Sequence, residues 1–204
     1  MRIGYGWDSH AFKSGVPLKI GGLTLDHPEG LSGHSDGDVL LHAITDALLG
    51  AVAAGDIGSF FPPGDARWKN ADSSIFLETA LEEVRHAGYA IANVDTTLVL
   101  AAPKIGPIAE KLRENVATLL HLEPRDVGIK AKTPEGLDQD HVAIAHAVVL
   151  LEKLDADGQT RHMAAAADSS EDSPRSVEDV VRKLLEEPAV LPARKPTFNT
   201  EDIT

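Results

Sequence analysis

The stretch from His34 to Gly50, HSDGDVLLHAITDALLG, constrains the fold most, because it predicts an amphipathic helix entered from a polar loop. Ser35 is expected to be the helix N-cap, and Asp38 stands three residues later, as in a relative of the capping box. The helix is expected to end near Gly55, a residue type common just past a helix C-terminus. Its apolar positions at helical spacing are Val39, Leu40, Leu41, Ile44, Leu48 and Leu49. One broad face of this helix is therefore predicted to pack into a core.

His42 interrupts the apolar face of this predicted helix. Asp38 and Asp46 lie four residues to either side of it and share its face. A carboxylate one turn away is suited to the second ring nitrogen of a metal-bound histidine, whose tautomer and orientation it fixes. A lone histidine on an apolar helix is more often a hydrogen-bonded core residue, so a metal site requires further ligands.

Asp8 and His10 supply those ligands. Residues 1–11 are predicted to form a strand, and side chains two residues apart on a strand leave the same face. Together with His42 they make three protein ligands and leave one coordination position open, which is typical of a catalytic zinc site. The chain has no cysteine, so a metal must be bound by histidine and carboxylate.

The rest of the chain alternates between strand and helix patterns. In order, the predictions are a hairpin over 17–26 about Gly21 and Gly22, a loop over 26–33, a lid or pocket wall over 56–73, a helix from Ser73 to Ala87 capped by Asp72, a strand over 91–101, a turn over 101–107, a helix ending near Leu120, a strand and turn over 127–136, and a strand over 141–154. This order predicts an α+β fold with a mixed sheet and helices on one face.

The chain is expected to hold one folded domain, residues 1–154, followed by a tail. Residues 155–204 are low in bulky apolar side chains and read as a low-complexity C-terminal tail with a disordered linker. Within it, 177–187 has apolar residues along one side and predicts a short amphipathic helix.

Charge and composition exclude several classes of protein. The net charge of −13 leaves no excess of lysine and arginine for a nucleic-acid backbone, so no nucleic-acid partner is expected. No apolar run approaches membrane-spanning length, and the N-terminus lacks a secretory apolar region. We therefore expect no membrane partner and a cytoplasmic location.

Several long motifs carry a family resemblance over residues 1–154. They are MRIGYGWDSHAF, GLSGHSDGDVLLHAITDALLG, GDIGSFFP, NVDTTLVLAAPKI and KTPEGL. With them the chain resembles the 2-C-methyl-D-erythritol 2,4-cyclodiphosphate synthases of the non-mevalonate isoprenoid pathway. The resemblance implies a ferredoxin-like protomer in a homotrimer with active sites between subunits. It also implies a lyase reaction, in which 4-diphosphocytidyl-2-C-methyl-D-erythritol 2-phosphate closes to a cyclic diphosphate and releases CMP.

The resemblance also implies roles for individual residues. Zinc, or a similar divalent ion, would be bound by Asp8, His10 and His42, and Mg²⁺ or Mn²⁺ on the diphosphate by Glu135. His34 and Thr133 would stabilise the transition state. The implied substrate contacts are Asp8, Ser9, His10, His34, Ser35, Asp56, Ile57, Gly58, Phe61, Asp65, Ala101, Ala102, Pro103, Lys104, Ile105, Gly106, Lys132, Thr133, Pro134 and Glu135. Asp56, Gly58 and the 61–65 loop, notably Asp65, would hold the erythritol hydroxyls. The 101–106 turn would receive cytosine on backbone groups, with Lys104 close by.

Simpler interpretations of some of these residues stay open. Asp56 follows a glycine and is suited to a turn or helix cap. Lys104 alone is most often a solvated lysine, and Thr133 and Glu135 on either side of a proline make an ordinary turn. Five further histidines show no ligand spacing and are taken as structural or exposed: His27, His86, His121, His146 and His162.

The chain departs from the family pattern in one loop. Where family members carry a glycine-rich stretch with an aromatic residue and a phosphate-binding arginine, this chain has DQDHVAIAH (138–146). Lys132 is the best candidate for the missing cation, although a lysine at a strand end is often only solvent-facing. Two other functions are kept open: a catalytically weak trimeric binding protein on the same scaffold, and a zinc phosphohydrolase with Asp46 as the water-activating base.

Overall fold

The computed structural model describes residues 1–137 and 139–155. The predicted helix near 177–187 and the rest of the tail beyond residue 155 lie outside the described residues. In chain order the elements are β1 (Arg2–Ser14), β2 (Leu18–Ile20), β3 (Leu23–Leu25), β4 (Glu29–Leu31), α1 (Val39–Ala51), α2 (Ile57–Phe60), a 3₁₀ turn (Ala66–Trp68), α3 (Ser73–His86), β5 (Tyr89–Val99), a 3₁₀ turn (Gly106–Ile108), α4 (Ala109–Leu120), a 3₁₀ turn (Pro124–Asp126), β6 (Val127–Lys132) and β7 (Val142–Lys153).

The main sheet has five strands in the order β4–β1–β7–β5–β6. Only β5 and β6 run parallel, and the other neighbours are antiparallel, so the sheet is mixed. A separate hairpin pairs β2 with β3. The predicted α+β class with a mixed sheet is confirmed.

The helices pack on one face of this sheet, over the side chains that alternate inward along the strands. On β7 these inward residues are Ala143, Ala145, Ala147, Val149 and Leu151, all fully buried. The helical face of α1 is buried along its length, as its apolar spacing predicts. The opposite face of the sheet exposes large apolar side chains, including Ile3 at 72% and Trp7 at 54% exposure.

Two glycines bring α1 unusually close to β1. A Cβ atom on Gly4 would lie 1.8 Å from the carbonyl oxygen of Ala47, and one on Gly6 would lie 2.2 Å from that of Ala43. Neither position can therefore hold a side chain without displacing the helix backbone. Because Asp8 follows Gly6 by two residues on the same face, this close approach brings Asp8 beside α1.

Several predicted elements are confirmed. The strand predicted over 1–11 is the start of β1, and the 17–26 hairpin turns at Gly21 and Gly22, both with positive φ. The helix predicted from Ser73 begins there, and the Asp72 side chain accepts a hydrogen bond from the Ser74 amide. The strand predicted over 141–154 is β7 (Val142–Lys153).

Other predictions were wrong. The N-cap of α1 is Asp38, not Ser35, because the Asp38 carboxylate accepts from the Leu41 amide. The same helix ends at Ala51 rather than near Gly55. The predicted loop 26–33 contains β4, which pairs with the end of β1. The 56–73 segment, predicted as a lid or pocket wall, contains α2 and a 3₁₀ turn.

The described helices are all too short or too polar to span a bilayer.

Candidate active site

Three side chains from two elements converge in front of the sheet. Asp8 Oδ2 lies 2.8 Å from His10 Nε2 and 2.8 Å from His42 Nδ1. The two imidazole nitrogens are 3.1 Å apart. Among the described residues this is the group whose ligand atoms are placed to hold a metal ion, all within 4.8 Å of one another. The predicted trio is therefore assembled in the structure.

The trio fits a divalent ion by its chemistry as well as its geometry. Burial favours the neutral form of the Asp8 carboxyl, but hydrogen bonds and charge from His10 and His42 outweigh it and hold its pKa well below the ordinary range. Asp8 is therefore an anion, as a metal ligand must be. Two imidazoles and a carboxylate form a ligand set typical of catalytic zinc sites.

The second ring nitrogen of His42 contacts two serines rather than a carboxylate. Nε2 lies 3.0 Å from Ser35 Oγ and 2.9 Å from Ser73 Oγ. The prediction that Asp38 or Asp46 would orient this ring was wrong, because both carboxylates bind backbone amides elsewhere. Sequence spacing missed Ser73, since α3 meets α1 only through the tertiary fold.

Asp38 and Asp46 instead hold the chain around the site. The fully buried Asp38 carboxylate accepts from the amides of Gly21, Gly22 and Leu41 at 2.6–3.0 Å. Burial raises its pKa, and these three hydrogen bonds oppose the shift. Asp46 accepts from the Ile57 amide at 2.8 Å and so ties α2 to α1. Burial also raises the pKa of Asp46.

A cavity of about 290 Å³ opens in front of the trio. It is lined by Asp8, His10, His34, Ser35, His42, Asp46, Ile57, Gly58, Phe61, Pro63, Trp68 and Phe76. Phe61 and Phe76 pack against each other with ring centroids 4.4 Å apart and their planes tilted by 38°, and they form its apolar wall. The 56–73 segment therefore lines a pocket, as predicted, whereas Phe76 from α3 was not predicted to line it.

The remaining residues predicted around this cavity have local partners. Asp56 caps α2 and accepts from the amide and hydroxyl of Ser59, which is the simpler interpretation of that residue. Asp65 accepts two hydrogen bonds from the Arg67 guanidinium, and these hold its pKa below the ordinary range. The Ser9 amide donates to Asp8 Oδ1 at 2.8 Å and helps to fix that ligand.

A second cavity of about 310 Å³ lies at the end of β5 and β6. Its lining residues are Leu100, Pro103, Lys104, Ile105, Gly106, Ala109, Ile129, Ala131, Lys132 and Thr133. The structure thus brings most of the predicted 101–106 turn together with Lys132 and Thr133. The half-buried Ala101 precedes this turn, and Ala102 joins Pro103 by a cis peptide bond.

The turn after β6 places Glu135 beside Thr133. The Thr133 hydroxyl donates to the Glu135 carboxylate across the buried Pro134. Glu135 has a φ of 52°, a left-handed conformation that a non-glycine residue adopts at some energetic cost. This turn presents an exposed carboxylate and holds it in one place.

Among the residues that the structure describes, the two cavities share no lining residue. Sheet register places Ser9, Ile144, Val99 and Lys132 side by side across β1, β7, β5 and β6. Three strand spacings separate Ser9 from Lys132, which is about 14 Å. The metal trio and the second cavity therefore lie at the same end of the sheet but apart.

Residues 1–152 match the model of the YgbB family. The 2-C-methyl-D-erythritol 2,4-cyclodiphosphate synthase of Koribacter versatilis (strain Ellin345) is 66% identical over 153 residues, which cover 75% of this chain and 99% of that protein. The chloroplastic synthase of Oryza sativa subsp. japonica is 48% identical over 153 residues, which cover 74% of this chain and 69% of that protein.

Solved structures agree with this match. A CDP-bound structure of 2C-methyl-D-erythritol-2,4-cyclodiphosphate synthase has a TM-score of 0.70 at 42% identity, over 74% of this chain and 100% of that chain. The bifunctional IspDF of Campylobacter jejuni has a TM-score of 0.72 at 35% identity, over 76% of this chain and 42% of that chain. The resemblance found in the motifs is confirmed: this chain belongs to the YgbB family of 2-C-methyl-D-erythritol 2,4-cyclodiphosphate synthases.

Proposed function

We propose that the chain converts 4-diphosphocytidyl-2-C-methyl-D-erythritol 2-phosphate to 2-C-methyl-D-erythritol 2,4-cyclodiphosphate and CMP. The observation that carries the proposal is the convergence of Asp8, His10 and His42 at a cavity, in a chain of this family. In the reaction, an oxygen of the 2-phosphate forms a bond to the β-phosphorus, and the bond from that phosphorus to the CMP oxygen breaks. The reaction is therefore an intramolecular phosphoryl transfer, a phosphorus–oxygen lyase reaction in enzyme classification.

We propose that Asp8, His10 and His42 hold zinc or a similar divalent ion, which when bound supplies a Lewis acid for a phosphate oxygen. The exposed carboxylate of Glu135 is proposed to hold Mg²⁺ or Mn²⁺ on the diphosphate. Its support is the carboxylate that Thr133 fixes by a hydrogen bond, and oxygen ligands are those that such ions prefer.

The first cavity is proposed to bind the methylerythritol phosphate end. His34 is exposed at its wall and can donate to a phosphate oxygen, while Phe61 and its aromatic neighbours exclude water on one side. The contacts proposed here are Asp8, Ser9, His10, His34, Ser35, Asp56, Ile57, Gly58, Phe61 and Asp65. These groups bend a flexible polyanion onto itself, which lowers the entropic part of the barrier.

The second cavity is proposed to bind the cytidine end. The contacts proposed here are Ala101, Ala102, Pro103, Lys104, Ile105, Gly106, Lys132, Thr133, Pro134 and Glu135. Backbone groups of the turn would read the cytosine edge, and Thr133 would stabilise the transition state together with His34. Lys132 would supply the cation that the 138–146 loop lacks, since it lines this cavity next to Thr133.

A homotrimer with shared active sites is proposed from two observations. Three strand spacings, about 14 Å, separate Ser9 beside the metal trio from Lys132 in the second cavity of the same chain. A substrate that bridges the two cavities is therefore better served by neighbouring copies. In addition, the open sheet face exposes Ile3, Tyr5, Trp7 and Val148, an apolar surface of the kind that marks an interface. The ferredoxin-like description of the protomer, the cytoplasmic location and the extent of the domain over 1–154 stay predictions.

The proposed trimer can be tested by analytical ultracentrifugation of the full chain. We expect a sedimenting mass of three copies, and Trp7→Asp should shift the population toward monomers because it places a charge on the apolar face. A monomeric wild-type protein with full activity would contradict shared sites.

The reaction itself is tested by incubating the purified full chain with the diphosphocytidyl substrate, Zn²⁺ and Mg²⁺. Phosphorus NMR should show a cyclic diphosphate appearing in step with CMP. Linear phosphate products would indicate a phosphohydrolase with Asp46 as base. Tight binding without products would indicate the binding protein instead.

A further inference from the structure

We infer that Asp36 and Ser73 position His42 by making its Nε2 a hydrogen-bond donor, which leaves Nδ1 as the atom that binds metal. The inference rests on the proposed metal at Asp8, His10 and His42. Neither Asp36 nor Ser73 faces the first cavity, so both act through His42 rather than on substrate.

Ser73 decides the direction of the hydrogen bond to His42. Its hydroxyl is fully buried at the start of α3 and carries a single proton. That hydroxyl donates to Asp36 Oδ1. Toward His42 Nε2, 2.9 Å away, Ser73 Oγ can therefore only accept. The proton of this contact must lie on Nε2.

The Asp36 carboxylate accepts hydrogen bonds from several donors besides the Ser73 hydroxyl. Its Oδ1 accepts from the Asp38 amide, and its Oδ2 accepts from the Ser73 amide and from Lys19 Nζ, all at 3.2 Å. With an ammonium and two amides directed at it, the group is a carboxylate without a proton to give. With its own proton on Asp36, Ser73 Oγ can only accept from its other two neighbours, His42 Nε2 at 2.9 Å and Ser35 Oγ at 3.5 Å.

Lys19 fixes the Asp36 carboxylate by an ion pair. Its ammonium bridges Asp36 Oδ2 at 3.2 Å and Asp72 Oδ2 at 2.9 Å. It thereby joins the loop before α1 to the N-terminus of α3, the two segments that contribute Asp36 and Ser73. The relay from Lys19 through Asp36 and Ser73 to His42 is thus anchored at both ends.

The opposite edge of the imidazole faces the metal trio. With a proton on Nε2, the lone pair that a neutral His42 keeps is on Nδ1, the ring atom that lies 2.8 Å from Asp8 Oδ2 in the ligand trio. A histidine whose other nitrogen donates to a fixed acceptor is also oriented and a better ligand. Ser35 Oγ, 3.0 Å from Nε2, offers a second acceptor to the same proton.

The test uses Asp36→Asn and Ser73→Ala in the full chain. An amide at position 36 can donate to Ser73 Oγ, which frees the Ser73 proton to turn toward Nε2. Each variant should lower the zinc affinity, measured by competition with a chromophoric chelator, by about 10-fold to 100-fold. Because the two residues act in one relay, their effects on zinc affinity should not add. The double variant should bind zinc at most about threefold more weakly than the weaker-binding of the two single variants.

Two variants serve as controls. Ser74→Ala removes a hydroxyl from the same turn of α3 but away from His42, and it should leave zinc affinity unchanged. Ser73→Thr keeps the hydroxyl, so this variant should bind zinc with wild-type affinity. Thermal melts of all variants report whether loss of affinity follows loss of folding.

Nitrogen NMR of the imidazoles decides the inference independently of metal and of catalysis. In wild-type protein, with or without zinc, we expect His42 Nε2 to carry a proton. An unprotonated Nε2, or wild-type zinc affinity in both Asp36→Asn and Ser73→Ala, would overturn the inference. A wild-type protein that binds no zinc but shows the Nε2 proton would contradict the proposed metal and leave the relay supported.

Discussion

Gly6 lies directly against the backbone of Ala43, since a Cβ on Gly6 would be 2.2 Å from the Ala43 carbonyl oxygen. Gly6→Ala should therefore push α1 away from β1 and separate His42 from Asp8. We expect a loss of about 2–3 kcal/mol in the free energy of unfolding, measured by urea denaturation, together with weaker zinc binding. Gly64→Ala is the control, because a Cβ there meets nothing within 4 Å. Wild-type stability in both variants would show that the packing of α1 on β1 does not depend on a glycine at position 6.

Asp38 caps α1 while fully buried, whereas Asp72 caps α3 at the surface. Asp38→Ala leaves the amides of Gly21, Gly22 and Leu41 without their acceptor in a place that water does not reach. We expect it to cost about 3 kcal/mol or more, since each buried unsatisfied donor costs about 1–3 kcal/mol. Asp72→Ala should cost only about 1 kcal/mol, as for ordinary caps. Equal losses in urea denaturation would show that burial of the cap is unimportant.

The Asp72 carboxylate should make the free energy of unfolding depend on pH. A hydrogen bond from Lys19 lowers its pKa to about 2 in the folded protein, below its ordinary value of 3.8. The carboxylate therefore stabilises the fold above about pH 4, and this contribution disappears as the pH falls toward 2. Asp72→Asn keeps a capping side chain and removes the charge, so the gap in stability between wild type and variant should close on acidification. The gap should stay below about 1 kcal/mol because the pair is solvent-exposed. A gap that widens in acid would contradict this sign.

Lys132 is predicted to offset phosphate charge in the second cavity. A charge-assisted contact is worth about 1.5–3 kcal/mol, so Lys132→Ala should lower kcat/KM about 10-fold to 100-fold. Zinc content should not change. Lys153→Ala makes the same change of charge at the opposite end of the sheet and should have wild-type kinetics. If Lys132→Ala keeps wild-type kcat/KM at low salt, Lys132 is a solvent-facing residue and another group balances the charge.

Sequence patterns correctly predicted the features of the fold that depend on interactions between residues close together in the chain. The bounds of α3 follow from its Asp72 cap and apolar spacing, and the shared face of Asp8 and His10 follows from strand alternation. The metal trio could be predicted because each ligand lies at a regular position in its own element. The family motifs then gave the rest of the candidate site.

The features that the sequence patterns missed depend on contacts between residues far apart in the chain. β4 is three residues long and exists because it pairs with the end of β1, so no periodicity within Glu29–Leu31 could reveal it. The Asp38 carboxylate caps α1 and also reaches Gly21 and Gly22, which is why Ser35 does not serve as the cap. The partner of His42 is Ser73, 31 residues away along the chain.

The most direct test of the proposed active site is to measure zinc content and cyclic diphosphate formation together in wild type and His42→Ala. Two remaining ligands make a poor zinc site, so the variant should lose both bound zinc and turnover, while stripped wild type should regain activity when zinc is restored. His86→Ala, an exposed histidine at the end of α3, is the matched control and should retain both. Full zinc occupancy in His42→Ala, or cyclic product from it at the wild-type rate, would contradict the assignment.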